Sequence, residues 1–158
     1  MSDMPPISGP DEARRHSHIN PFELSTGDRI GDFEILEPID QGGMGAVYKA
    51  YEIPLKRVVA LKMLHPAIAN NPSLIKRFRR EAVLAANLSH PHIVPVFHIE
   101  DSDKPRYFTM EFIQGRSLRD KVEKDGFFDP DQALRIALQA CDALQYAHEH
   151  DIIHRDIK

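Results

Sequence analysis

Two charged side chains stand in apolar surroundings in the first half of the sequence. Lys62 lies inside the run Val58 to Leu64, and Glu81 falls on a helical stripe with Phe78 and Ala85. A charge that faces a core is costly unless an opposite charge neutralises it. We therefore expect Lys62 and Glu81 to form an ion pair. The alternatives are a lysine that extends its ammonium group into solvent and a glutamate at the solvated edge of its stripe.

A glycine-rich turn precedes this lysine. Residues 41–45 read Gln-Gly-Gly-Met-Gly, and the residues on both sides of them alternate as strands do. Glycine lets the backbone approach a ligand closely and offer N–H groups to phosphate oxygens. The same turn is also typical of a simple tight hairpin. A P-loop and a dinucleotide-binding fingerprint are both disfavoured, because each of them opens a helix.

A small antiparallel sheet is predicted to position these residues. Five segments have the pattern of strands: 33–39, 46–51, 58–64, 93–99 and 106–112. A helix is predicted after the cap Asn71, with Pro72 at its first position. Strands joined by short turns and followed by a helix indicate an α+β fold and not a βαβ unit.

Two helices are predicted in the second half of the chain. Residues 117–123 form a short helix, and a longer one begins after the cap Asp129, with Pro130 at its first position, and runs to about His150. Its apolar face contains Leu134, Ala137, Leu138, Cys141 and Leu144. A thiol on such a face is expected to be a packed core residue and not a reactive group.

The bulk properties narrow the possible partners and location. The 158 residues carry a formal net charge of -4, which gives no reason to expect nucleic acid or an anionic membrane as a partner. A single cysteine excludes an internal disulfide and suits the cytoplasm. No apolar run approaches the roughly 18 residues that span a bilayer, so membrane attachment is expected only through a segment beyond residue 158. Residues 1–28 are predicted to be a flexible polar tail.

From Phe33 to Lys158 the sequence resembles a protein kinase of the bacterial Ser/Thr type. The segments that carry the resemblance follow the family's order. They are the glycine-rich loop Gly42-Gly43-Met44-Gly45-Ala46-Val47-Tyr48, the lysine motif Val59-Ala60-Leu61-Lys62, the helix C glutamate Glu81, the segment His90-Pro91-His92-Ile93-Val94, the gatekeeper and hinge Met110-Glu111-Phe112-Ile113, and the catalytic-loop start His154-Arg155-Asp156-Ile157-Lys158.

The resemblance implies a protein-kinase-like fold that is incomplete at its C-terminus. The kinase domain is expected over 33–158, as an antiparallel N-lobe sheet with helix C over about 33–110. A hinge is expected over about 111–115, and the first helices of a truncated C-lobe over about 116–158. His90 and His92 then have structural roles.

The resemblance also implies ATP and Mg²⁺ as cofactors and a protein Ser or Thr hydroxyl as the acceptor. Lys62 would contact the α- and β-phosphates and be held by Glu81, Asp156 would orient and deprotonate the acceptor hydroxyl, and Lys158 would stabilise the transferring phosphoryl group. The implied nucleotide-binding residues are Ile39, Gly42, Gly43, Met44, Gly45, Val47, Ala60, Lys62, Met110, Glu111 and Ile113. No metal ligand is expected in this chain, because the family's Mg²⁺ ligands belong beyond Lys158.

The sequence departs from the family pattern at Asp40, which replaces the first glycine of the loop. The expected function is that of an ATP-dependent Ser/Thr protein kinase, present here as a fragment that is inactive alone. The alternative is a pseudokinase or nucleotide-binding scaffold, which Asp40 favours and the triplet of Lys62, Glu81 and Asp156 disfavours. A truncated gene product with no folded role is the third reading.

Overall fold

An antiparallel sheet forms the first part of the molecule. The computed structural model describes residues 24–43, 45–101, 105–154 and 157. Within these residues the strands are β1 (Arg29–Ile30), β2 (Phe33–Gly42), β3 (Gly45–Glu52), β4 (Arg57–Leu64), β5 (Val96–Glu100) and β6 (Tyr107–Glu111). All neighbouring strands pair antiparallel, in the spatial order β1-β2-β3-β4-β6-β5. The predicted α+β fold with an antiparallel sheet is therefore confirmed.

The described chain contains three α-helices, and two of them begin directly after the capping residues that the sequence indicates. The three helices are α1 (Pro72–Ala86), α2 (Leu118–Asp125) and α3 (Pro130–Glu149), and a short 3-10 turn covers Pro66–Ile68. The Asn71 side chain accepts the N–H groups of Ser73 and Leu74, and Asp129 accepts the N–H of Gln132. These contacts satisfy N–H groups that the helix itself leaves unpaired. None of the described helices is long and apolar enough to cross a membrane.

The sheet has a core on each of its faces. One core is built by Leu24, Ile30, Phe33, Ile35, Ala46, Tyr48, Ala50, Val59, Leu61, Met63 and Tyr107. On the other face, α1 packs against the sheet through Phe78 and Ala82, which contact Leu64 and Phe108. Alternation along β4 explains the division, because successive side chains of a strand point to opposite faces.

The packed region begins before Phe33. Leu24 is 6% exposed and belongs to the first core. The N–H of Gly27 donates to the Ile35 carbonyl at 2.8 Å, and the N–H of Ile35 donates to the Asp28 carbonyl at 2.8 Å. Residues 24–28, which the sequence analysis places in the polar tail, are thus tied to β2.

The expectation that Cys141 is a packed core residue is wrong. The thiol is exposed, and Leu134 and Leu138 on the same helix are each 59% exposed. An apolar face is buried only where another element lies against it. Across the described residues, no element covers this part of α3.

Candidate functional site

The predicted ion pair between Lys62 and Glu81 is present in the structure. Lys62 extends from β4, Glu81 extends from α1, and the Nζ of the lysine donates to the Oε1 of the glutamate. The Lys62 ammonium also lies 5.5 Å from the centroid of the Phe108 ring. An aromatic face attracts a cation, so the pair and the ring together fix the position of the ammonium group.

Glu81 does not face the core as the stripe suggested. The buried side of α1 passes through Phe78 and Ala82, while the Glu81 side chain is 45% exposed and the Lys62 side chain is 23% exposed. Solvent screens a pair this exposed, so its contribution to stability is about 1 kcal/mol or less. The pair therefore matters for where it holds the lysine and not for how much it stabilises the fold.

Strand register places four of the predicted site residues on one face of the sheet. Val47 of β3 is paired with Lys62 of β4, and Ala60 of β4 is paired with Met110 of β6. Paired residues lie on the same side of a sheet, and so do residues two apart on one strand. The four side chains thus share the face on which α1 packs.

Phe108 belongs to this face although the sequence analysis does not single it out. It is paired with Lys62 across β4 and β6, and its ring centroid lies 5.1 Å from that of Phe78 in α1. Its spacing of two residues from Met110 predicts the shared face, but only the strand register shows that it lies beside Lys62.

The glycine turn closes the β2–β3 hairpin beside this face. Gly42 is paired with Gly45, and Met44 between them lies outside the described residues. A Cβ at Gly45 would collide with the carbonyl oxygen of Met63, so β3 and β4 approach too closely there for a side chain. A Cβ at Gly42 or Gly43 would meet nothing within 4 Å, which leaves open space over the turn.

The residues that flank the glycines have different surroundings. The Asp40 Oδ1 accepts the N–H of Gln41 at 2.8 Å, so this carboxylate is held against the backbone. Ile39 is 47% exposed and borders a cavity of about 400 Å³ together with Ala46 and Tyr48, which belong to the core on the side away from Lys62.

The segment predicted as the hinge starts at the end of β6. The N–H of Glu111 donates to the Pro95 carbonyl at 3.1 Å, so this N–H is already used within the protein. Ile113 is 59% exposed.

The segment predicted as the catalytic loop follows α3. The helix ends at Glu149 with His150 as its cap. The N–H of Ile152 donates a hydrogen bond to the Ala147 carbonyl at 2.9 Å, so the chain folds back on the last turn of the helix. Asp156 and Lys158 lie outside the described residues, so their roles stay predictions. The described part of the chain contains no cluster of His, Cys, Asp and Glu that could hold a metal ion.

Comparison with known proteins places this geometry in a family. A family model of the protein kinase domain matches residues 33–158. The chain is 41% identical over 140 residues to the serine/threonine-protein kinase PknB of Mycolicibacterium smegmatis, an alignment that covers 85% of this chain and 22% of that protein. It is 42% identical over 133 residues to PrkC of Bacillus subtilis, covering 84% of this chain and 20% of that protein.

Solved structures agree with the sequence relatives. The fold matches the apo form of PpkA-294 with a TM-score of 0.76 and 28% identity, covering 87% of this chain and 56% of that one. It matches the Mycobacterium tuberculosis PknI kinase domain with a TM-score of 0.73 and 28% identity, covering 85% and 55%. The chain spans about a fifth of the length of the curated relatives and about half of these solved chains. The family match, the relatives and the fold show that this chain belongs to the protein kinase family.

Proposed function

We propose that the protein to which this chain belongs is an ATP-dependent Ser/Thr protein kinase. The observation that carries the proposal is the Lys62–Glu81 ion pair, which lies on the sheet face shared with Val47, Ala60 and Met110. In protein kinases a strand lysine held by a helix C glutamate positions the phosphates of ATP. The Ser/Thr class follows from the relatives, which include the serine/threonine-protein kinases PknB and PrkC.

On this sheet face a nucleotide would lie with its phosphates toward the glycine turn. Val47 and Ala60 would cover the adenine, and Met110 would line the back of its site. The carbonyl oxygen of Glu111 and the N–H of Ile113 would bind the adenine edge. Gly42, Gly43, Met44 and Gly45 would offer backbone N–H groups to the phosphates.

Two further residues, near the end of this chain, would act in phosphoryl transfer. Asp156 would orient the acceptor hydroxyl and take its proton, and Lys158 would stabilise the charge on the transferring group. When bound, Mg²⁺ neutralises charge on the β- and γ-phosphates, and we propose that its ligands belong to a part of the protein beyond Lys158. Residues 1–158 alone would then bind nucleotide but not transfer phosphate.

The proposal includes a division of the chain. An N-lobe would cover about 33–110, a hinge about 111–115 and the start of the C-lobe about 116–158. We place the kinase domain in the cytoplasm, where ATP and protein substrates are available.

A kinase assay on the full-length protein tests the function. Mg-ATP and a generic Ser/Thr protein substrate are supplied to the wild type and to the variants Lys62→Met, Asp156→Asn and Lys56→Met. We expect Lys62→Met and Asp156→Asn to lose on the order of 100-fold or more in kcat/KM, because each removes a group needed in the transition state.

Lys56→Met is the matched control, because Lys56 lies in the turn between β3 and β4 and is exposed. It should keep wild-type activity. Phosphate transfer that does not depend on Asp156 would contradict its assigned role, and transfer by residues 1–158 alone would contradict the proposed incompleteness of the fragment.

Nucleotide binding without transfer is the second candidate function, and Asp40 favours it. Asp40 departs from the family pattern of an active kinase at the first loop glycine, and its carboxylate would add repulsion at the phosphates that transfer must hold in place. A full-length protein that binds Mg-ATP but transfers no phosphate would support this candidate over the kinase.

A further inference from the structure

The side chain of His90 joins the segment after α1 to helix α3. It is 10% exposed, and its Nε2 lies 3.1 Å from the Oδ2 of Asp142. The ring centroids of His90 and Tyr146 are 5.0 Å apart at an interplanar angle of 31°. One polar and one aromatic contact thus attach this segment to the same helix.

Both ring nitrogens of His90 take part in hydrogen bonds. The N–H of His92 donates to the Nδ1 of His90 at 3.2 Å. A ring nitrogen that accepts a hydrogen bond carries no proton, so the proton of the neutral ring is on Nε2, which donates to Asp142. One side of the ring therefore fixes the local segment, and the other side binds α3.

The contacts on α3 follow one stripe of that helix. Asp142, Tyr146 and His150 are spaced by four residues and so lie on one face. The rings of Tyr146 and His150 are 4.3 Å apart, and the Nδ1 of His150 donates to the Tyr146 carbonyl at 2.8 Å. The stripe reaches the cap of α3, after which the chain leads to Asp156.

We propose that His90 and Asp142 form a latch that fixes α1 relative to α3, and that both are positioning residues for phosphoryl transfer. The inference rests on the proposed function. Glu81 on α1 holds the lysine that would bind ATP, and α3 leads into the proposed catalytic base. Transfer requires both groups at a fixed separation, and a shift of about 1 Å can cost on the order of 100-fold in rate. The Asp142 side chain is 63% exposed, so the link can open without unfolding a core.

Two substitutions of His90 test its two hydrogen bonds separately. In His90→Asn the side-chain oxygen can still accept from the His92 N–H, but the side chain is too short to reach Asp142. In His90→Gln the terminal amide can still donate to Asp142. Asp142→Ala removes the acceptor from the other side. His148→Asn is the control, because His148 is an exposed histidine on the same helix.

Steady-state kinetics of the full-length protein measure the effect. We expect His90→Asn and Asp142→Ala each to lower kcat by about 10- to 100-fold with little change in the KM for ATP. His90→Gln should stay within a few-fold of the wild type, and His148→Asn should match it. The double variant His90→Asn/Asp142→Ala should be no slower than either single variant. Each single variant already breaks the same His90–Asp142 hydrogen bond, so the second substitution has nothing further to remove.

Three kinetic outcomes would each overturn the latch. They are an unchanged kcat in His90→Asn, a loss of kcat in His90→Gln as large as that in His90→Asn, and additive losses of kcat in the double variant. Amide hydrogen exchange gives a second readout that does not need activity. Asp142→Ala lies on α3, yet it should speed exchange in residues 72–93 of the full-length protein, whereas His148→Asn should not. Unchanged exchange there would also overturn the latch. A wild type that transfers no phosphate would refute the proposed function, and the exchange result would then decide the latch.

Discussion

The sheet with α1 and the helical region of α2 and α3 carry similar apolar patterns but differ in burial. Leu61 in β4 is fully buried, whereas Leu138 in α3 is 59% exposed. The difference arises because strands and α1 cover one another, while no described element lies against the part of α3 around Leu134 and Leu138. Periodicity thus predicts which face of an element is apolar, but it does not predict whether a partner covers that face.

Truncation of one leucine in each region gives the largest expected contrast. Leu61→Ala should lower the free energy of unfolding of the 158-residue chain by about 2–5 kcal/mol, because it leaves a cavity in a packed core. Leu138→Ala should change it by about 0.5 kcal/mol or less, because the side chain is largely in water already. Urea unfolding followed by circular dichroism measures both. Equal losses would show that α3 is covered in solution and would break the comparison.

Two glycines of one turn test the same contrast on a smaller scale. Gly45→Ala should cost about 1–3 kcal/mol, because the new methyl group meets the Met63 carbonyl and pushes β3 away from β4. Gly43→Ala is the matched control, since its Cβ points into open space, and it should stay within about 0.5 kcal/mol of the wild type. The same unfolding experiment applies. A tolerated Gly45→Ala would mean that the strands can separate there at little cost.

A buried hydroxyl inside the sheet offers a gain in stability. Thr109 is 0% exposed, and its Oγ1 has no hydrogen-bond partner in the described structure. Thr109→Val should therefore raise the free energy of unfolding by about 1 kcal/mol. Thr26→Val is the control, because the Thr26 hydroxyl donates to the Leu36 carbonyl at 2.8 Å, and its loss should be neutral or destabilising. A destabilised Thr109→Val protein would indicate a hidden partner.

The smallest expected effect is the pH dependence of the α2 cap. The hydrogen bond of Asp120 with the Ser117 side chain, and then the one with the Ser117 backbone, lower the pKa of this carboxyl. The folded-state pKa is below the unfolded one, so the stabilisation is present above the unfolded pKa and is lost as the pH falls through the folded pKa. The difference in unfolding free energy between the wild type and Asp120→Asn should thus shrink below about pH 4. A constant difference across this range would contradict the charged cap.

Local features of the fold were predictable because local chemistry determines them. The strands near 33–39, 46–51 and 58–64 follow alternation, and α1 and α3 start after Asn71 and Asp129 because those side chains cap them. Strand β1, the burial of Leu24 and the exposure of Cys141 were missed. Each of these depends on contacts between distant parts of the chain, which a local pattern does not encode.

The candidate site was predictable where two anomalies had one solution. The sequence pattern set Lys62 and Glu81 each in apolar surroundings, which predicted a pair between them. The pair forms although the Glu81 side chain is 45% exposed, so the burial cost that motivated the prediction is small for the glutamate. Phe108 was missed because an aromatic residue in a strand is ordinary, and only the register of β6 against β4 shows that it lies beside the lysine. The roles of Asp156 and Lys158 still rest on the family resemblance.

The insertion of β6 between β4 and β5 sets an order of events during synthesis. Strands β1 to β4 pair with their neighbours in sequence, so they can form as soon as the ribosome has released them. The outer edge of β4, rich in Val and Leu, then stays open until Tyr107–Glu111 emerges and docks. An open apolar edge pairs readily with another chain. A nascent chain stalled before residue 107 should therefore aggregate through β4, and a chaperone that covers this edge would protect it.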